Sequence, residues 1–316
     1  MFRRIFGSND SKQNTEKKES DFVIEDDEEE DKAKSSSAFL ENLKLNLTKM
    51  IAYAQSADVV LQREVAEMLA NEAVNGDRQV QIVEYGGLRL LVPLTKSADE
   101  DVRRLSAHAL ANLSVNAKNQ VLMASEGAVD MLLDLLETDN EIIQRQAAKA
   151  IANLSVNQEN KLKIGKIGGI SKLVRLAGSS TLQVQIEAIA ALGNLAVNDY
   201  NELEIVRQGA LAQLAKSAAL AAQFLQQARG RGDRDALHWE ELAAQCARCL
   251  RNLTVNPINR AQVIASGVVP ALKLLSQSQN DRIAQQSSKA MRNLSAANTS
   301  IAQTTEIEGL EKIKHK

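Results

Sequence analysis

One asparagine recurs along this chain in fixed register: Asn71, Asn112, Asn153 and Asn194 stand 41 residues apart, and Asn252 and Asn293 repeat the same step. The gap from Asn194 to Asn252 is 58 residues, one period plus 17. A second marker keeps time with the first, since Gly87, Ala128, Gly169, Ala210, Val268 and Gly309 each follow their asparagine by 16 residues. A period near 40 in a chain with 44% hydrophobic residues, 3% aromatics and three prolines points to an α-solenoid. In such a fold each unit buries its apolar faces only against its neighbours. Length alone would suggest two globular domains, but the repeat overrides that inference.

Charge divides unevenly. Residues 1–37 hold 7 lysines and arginines against 11 carboxylates, with an unbroken acidic run from Glu25 to Asp31 and a serine cluster at Ser35 to Ser37. That segment lacks the apolar content to bury a core and reads as a disordered acidic tail, ahead of a repeat domain over 38–316. A net charge of −2 argues against nucleic acid as a partner. No apolar run reaches membrane-spanning length, and Met1 to Phe6 is too short for more than weak contact with an anionic membrane. Two cysteines and no secretory leader favour a cytoplasmic or nuclear setting. Nothing in the pattern calls for self-association, so a monomer is expected.

The unit from Ala117 to Asn157 is the clearest. A short helix (AKNQVLMAS) ends at Glu126-Gly127, a second (AVDMLLDLLET) carries apolar residues at helical spacing, and a third (EIIQRQAAKAIANLSVN) starts at Asp139-Asn140. Gly127 suits a turn that needs positive φ, and Asp139 or Asn140 suits an N-cap. With its GGI or GAV turn followed by A-x-x-A-I-x-N-L, the pattern resembles the armadillo repeat family over about residues 38–316. That resemblance implies an all-α, right-handed solenoid of about six three-helix repeats, working as a non-catalytic scaffold or adaptor.

It also implies a groove lined by the third helices, where the last-turn asparagine binds the backbone of an extended peptide from a partner protein. Carried over, this role falls on Asn71, Asn112, Asn153, Asn194, Asn252 and Asn293. A carboxamide both donates and accepts, so it matches both halves of a peptide group. The alternative is that each asparagine merely caps its helix.

Four residues earlier, on the same helix face, lie Glu67, His108, Lys149, Ala190, Arg248 and Lys289. Import carriers of the family place tryptophans there, and none occurs here, which counts against a nuclear import adaptor for basic cargo. Arg63, Arg104 and Arg145 lie a further four residues back, and Arg251 and Arg292 adjoin their asparagines. These charges predict a basic groove that favours acidic extended segments, unless they are only solvated helix charges. The acidic tail is itself a candidate ligand for that groove. A membrane-associated scaffold is another alternative, but Phe2 excludes the N-myristoylation of lipid-anchored members.

Several motifs look like chemistry and read better as structure. Cys246 and Cys249 form a C-x-x-C, yet both fall in slots that hold alanine or serine in the other repeats. No catalytic residue, cofactor or metal site is predicted, and His108 lacks a carboxylate and nucleophile in register. Arg231-Gly232-Asp233 is read as a loop tip. The 17-residue insertion, near 217–238, should extend the second helix over Ala219 to Ala228 and then form a charged loop from Arg229 to Asp235. Trp239, the only tryptophan, is expected to pack this altered junction. Thr304 to Lys316 reads as a capping helix.

Overall fold

The computed structural model describes residues 41, 43–228 and 236–296. The expectations for the acidic tail, for membrane contact by residues 1–6, for the loop at 229–235 and for the terminal helix lie outside these residues. Every regular element among the described residues is an α-helix. None of these helices is long and apolar enough to cross a membrane. The chain divides into two compact units, Met1–Ala128 and Val129–Lys316.

The helices recur in sets of three. First helices are Gly76–Glu84, Ala117–Ser125, Gln158–Lys166, Asp199–Arg207 and Pro257–Ala265, each of nine residues. Second helices are Gly87–Leu94, Ala128–Leu135, Gly169–Ala177, Ala210–Gln227 and Val269–Leu275. Third helices are Val59–Glu72, Glu100–Leu113, Glu141–Leu154, Leu182–Leu195 and Ala236–Leu253, with a last one over 281–296. In the first unit, Val59–Glu72 packs on Glu100–Leu113. In the second, Leu182–Leu195 packs between Glu141–Leu154 and Ala236–Leu253.

Local chemistry sets these boundaries. Each first helix opens on an asparagine three residues after the preceding third helix ends: Asn75, Asn116, Asn157, Asn198 or Asn256. In every case Oδ1 accepts from the backbone N–H two residues on, at 2.9 to 3.2 Å. Such a cap is worth about 1 kcal/mol relative to alanine. First and second helices then meet at a glycine in the left-handed region, with φ of 77 to 85° at Gly86, Gly127, Gly168, Gly209 and Gly267. That is the reversal anticipated at Gly127. The marker has no room for a side chain at Gly87 and Gly169, where a Cβ would sit 2.6 Å from Ile82 or Ile164, whereas Ala128, Ala210 and Val268 are accommodated fully buried. Asn140, not Asp139, caps Glu141–Leu154, and its Oδ1 accepts from Ile142 and Ile143.

The insertion is shared between two helices. Ala210–Gln227 has 18 residues where the other second helices have seven to nine, and Ala236–Leu253 has 18 where the preceding third helices have 14. Half-buried Trp239 stacks on Phe224 across the two extensions, with centroids 5.0 Å apart and an interplanar angle of 18°. Phe224→Ala should therefore shift the emission of this sole tryptophan to the red in the native protein. An unchanged spectrum would show that the pair does not hold the junction.

Cys246 and Cys249 are fully buried, as are Ser106, Ala147, Ala188 and Ser287 in the first register and Ala109, Ala150, Ala191 and Ala290 in the second. Burial pushes the Cys249 thiol up to about 12, and Cys246 rises for the same reason. Both are packing residues.

Candidate functional site

Each recurring N-x-x-x-N-x-x-N phrase carries three asparagines with three placements. The first, the predicted ladder residue, sits in the last turn of a third helix; the second caps the next first helix. The third, Asn119, Asn160, Asn201 or Asn259, is buried in that first helix. Asn119 Nδ2 donates to the carbonyls of Gln79 at 2.8 Å and Leu113 at 3.0 Å, and Asn201 Nδ2 donates to Lys161 O at 2.8 Å. This buried row stitches successive repeats together. Sequence reasoning missed it, although its signal, an asparagine seven residues after four of the six ladder asparagines, was there to be read.

In the first unit Asn71 is exposed, and half-buried Asn112 places Nδ2 3.3 Å from His108 Nε2. Exposed Glu67 lies one turn before Asn71. The arginines of this face are paired. Arg63 Nη2 lies 3.0 Å from Asp99 and 3.7 Å from Asp101, and Arg104 Nη2 lies 3.3 Å from Asp101. The Val102 N–H and the Arg63 guanidinium together hold the Asp99 carboxyl below the usual carboxylate range.

The second unit differs. Asn153, Asn194 and Asn293 are half-buried, and Asn252 is buried. The ladder carboxamides point back along the row. Asn194 Nδ2 donates to Ala152 O at 2.8 Å, Asn252 Nδ2 to Gly193 O at 2.7 Å, and Asn293 Nδ2 to Thr254 Oγ1 at 3.3 Å and Arg251 O at 3.5 Å. Each acceptor carbonyl belongs to the residue just before the preceding ladder asparagine. These bonds satisfy helix-end carbonyls across a repeat boundary, which neither peptide binding nor simple capping anticipates. The donor half of each of these groups is thus engaged internally. Asn252 Oδ1 also accepts from Arg251 Nε at 3.0 Å and Nη2 at 2.5 Å.

Lys149 and Arg145 lie half-buried on Glu141–Leu154, Arg248 is half-buried on Ala236–Leu253, and Lys289 is exposed on the helix over 281–296. Among the described residues, none of Arg145, Lys149, Arg248, Arg251, Lys289 and Arg292 has a carboxylate within ion-pair distance. Glu187 feels Lys149 and Arg145 at longer range. Burial nevertheless dominates and pushes its carboxyl above the usual range. Burial likewise pulls the Arg248 guanidinium below the ordinary arginine value. No group of three or more His, Cys, Asp or Glu able to hold a metal ion occurs among the described residues.

Four stretches, residues 77–115, 116–156, 157–197 and 256–296, match the profile described as Armadillo/beta-catenin-like repeat and together span just over half of the chain. No curated protein matches. Among solved structures, an engineered protein aligns at 28% identity over 79% of this chain and 96% of its own, with a TM-score of 0.67. A designed armadillo repeat protein in complex with peptide (KR)4 aligns at 25% identity over 78% of this chain and 98% of its own, with a TM-score of 0.65. A structure concerning the phosphorylation switch that controls the interaction between cadherin and beta-catenin aligns at 19% identity, covering 78% of this chain and 44% of its own, with a TM-score of 0.64.

Proposed function

Because the chain belongs to the Armadillo/beta-catenin-like repeat family, we propose that it is a protein-binding scaffold whose third-helix asparagine rows hold extended, acidic segments of partner proteins. The observation that carries this reading is the unpaired cation row of the second unit. Among the described residues, Arg145, Lys149, Arg251, Lys289 and Arg292 flank the ladder asparagines with no carboxylate within ion-pair distance, and Glu187 acts on Arg145 and Lys149 only at longer range, so an anionic ligand gains attraction there without breaking an existing ion pair. The first unit offers less, since Asp99 and Asp101 already neutralise Arg63 and Arg104. Asn293, whose amide donates internally, would offer its carbonyl oxygen to a ligand N–H, whereas the oxygens of Asn194 and Asn252 already accept from Arg248 and Arg251. The designed relative holds a basic peptide; the cationic row of this chain would repel one.

Fluorescence anisotropy of the full chain with matched acidic and basic extended peptides, at low and high salt, tests the reading. Acidic peptides should bind, more weakly as salt rises, and Asn112→Ala with Asn153→Ala should weaken that binding. Preference for basic peptides would replace this reading with that of a carrier for basic cargo.

A further inference from the structure

The rung at Asn194 is already occupied. Arg248, from the following third helix, donates Nη1 to Asn194 Oδ1 at 2.5 Å and Nη2 to Ala190 O at 3.0 Å. Its Nε and Nη2 also reach Gln245 Oε1 at 3.0 and 2.6 Å. The guanidinium thus lies across the Leu182–Leu195 helix, held only by neutral acceptors. It engages the oxygen that a bound backbone would use as its acceptor.

Two residues of that helix make room for it. In the register just before the ladder asparagine, Ala70, Ala111 and Ala152 are followed by Gly193, the single glycine of the row. A Cβ on Gly193 would stand 3.3 Å from Arg248 Nη2 and 3.4 Å from Cζ, closer than side chains ordinarily pack. Four residues before the ladder asparagine, a register held by charged residues or histidine elsewhere, Ala190 is the one small apolar residue. A mid-helix glycine costs stability relative to alanine, so its presence under the guanidinium marks a seat shaped for Arg248.

We propose that Arg248 makes the Asn194 rung conditional on a ligand carboxylate. A glutamate or aspartate on the bound segment takes the guanidinium in a charge-assisted pair, and the released Asn194 carboxamide then accepts from the ligand backbone. A neutral segment cannot match those bonds and finds the rung closed. Arg248 thereby couples side-chain recognition to backbone recognition, which an exposed lysine in the same row would not do. The inference rests on the peptide-binding reading above.

The test uses the full chain and three labelled twelve-residue peptides: alternating Gln-Ser, the same peptide with one central glutamate, and alternating Glu-Ser. Wild type should prefer the single-glutamate peptide over the neutral one by about tenfold at low salt. Arg248→Ala should bring these two within about twofold and bind the neutral peptide at least as tightly as wild type does, because Asn194 is open. Lys149→Ala should keep the preference. Arg248→Gln, which preserves length and a donor, should lose the preference and keep the neutral peptide weak; it also serves if Arg248→Ala unfolds. Equal weakening of both peptides in Arg248→Ala would reduce Arg248 to a structural clamp and overturn the proposal. If wild type binds alternating Glu-Ser without favouring the single glutamate, the proposal alone fails. If it binds none of the three, the peptide-binding reading fails as well.

Discussion

Gly165→Ala should destabilise the second unit by about 2 kcal/mol, despite raising the intrinsic helix propensity of Gln158–Lys166. An ideal Cβ at this position falls 1.9 Å from Asn201 Oδ1 and 2.8 Å from its Cγ, so the asparagine must move. Asn201 has nowhere inexpensive to go. It is fully buried, and its Nδ2 donates to Lys161 O across the repeat boundary. Displacement strands the buried amide donor and removes the bond across the repeat boundary, at roughly 1–3 kcal/mol for a buried polar group left unmatched, while Lys161 O keeps its helical bond. The alanine gains at most about 1 kcal/mol of propensity in return. Denaturant unfolding of Gly165→Ala, Asn201→Ala and the double variant measures the effect. The clash predicts that the double variant is no less stable than Asn201→Ala alone, because the added methyl then fills the space vacated by the amide. Additive losses would show that Gly165 and Asn201 are not coupled.

The same pair marks the boundary of what the sequence reveals. The 41-residue period exposed the three-helix unit, the glycine reversal at Gly127 and the placement of ladder asparagines near helix ends, because each depends on local residue type in register. The insertion was legible as a longer second helix. Its lengthening of the third helix was not, since the extra turn before Trp239 follows from stacking on Phe224 across the junction. The hydrogen-bond direction of Asn194, Asn252 and Asn293 was equally hidden. A residue's register says which face it occupies, whereas its partner, a carbonyl about 42 to 59 residues earlier, depends on how closely two helices pack. Charge was the most deceptive feature. Arg63 and Arg145 occupy the same register, yet Asp99 lies within 3.0 Å of the first, and no carboxylate stands that near the second among the described residues. Asp99 caps the next third helix, and that cap brings the carboxylate to Arg63. Thr181 stands in the capping position of Leu182–Leu195, so its side chain brings no charge to neutralise Arg145. The capping residue thus separates Arg63 from Arg145, while Asp101 pairs Arg104 within its own helix and Glu187 reaches Arg145 only at longer range.

That contrast yields the second large effect. Lys149→Ala combined with Lys289→Ala should weaken binding of an acidic extended peptide by about tenfold at low salt, while the pair Arg63→Ala and Arg104→Ala should change it by about twofold or less. Half-buried Lys149 and exposed Lys289 would each contribute on the order of 1 kcal/mol to an ionic contact in dilute salt, and two such losses exceed one decade only if both act directly on the ligand. Removing Arg63 and Arg104 deletes charges that Asp99 and Asp101 already balance, so the field offered to a ligand changes less. Raising salt should compress the difference between the two double variants, because the Debye length falls from about 30 Å at 0.01 M to about 3 Å at 1 M. Anisotropy titrations at several salt concentrations check both the size and the slope. Equal losses from the two pairs would mean that the ligand responds to net charge alone. A loss that persists undiminished in high salt would instead assign Lys149 and Lys289 to packing through their aliphatic stems.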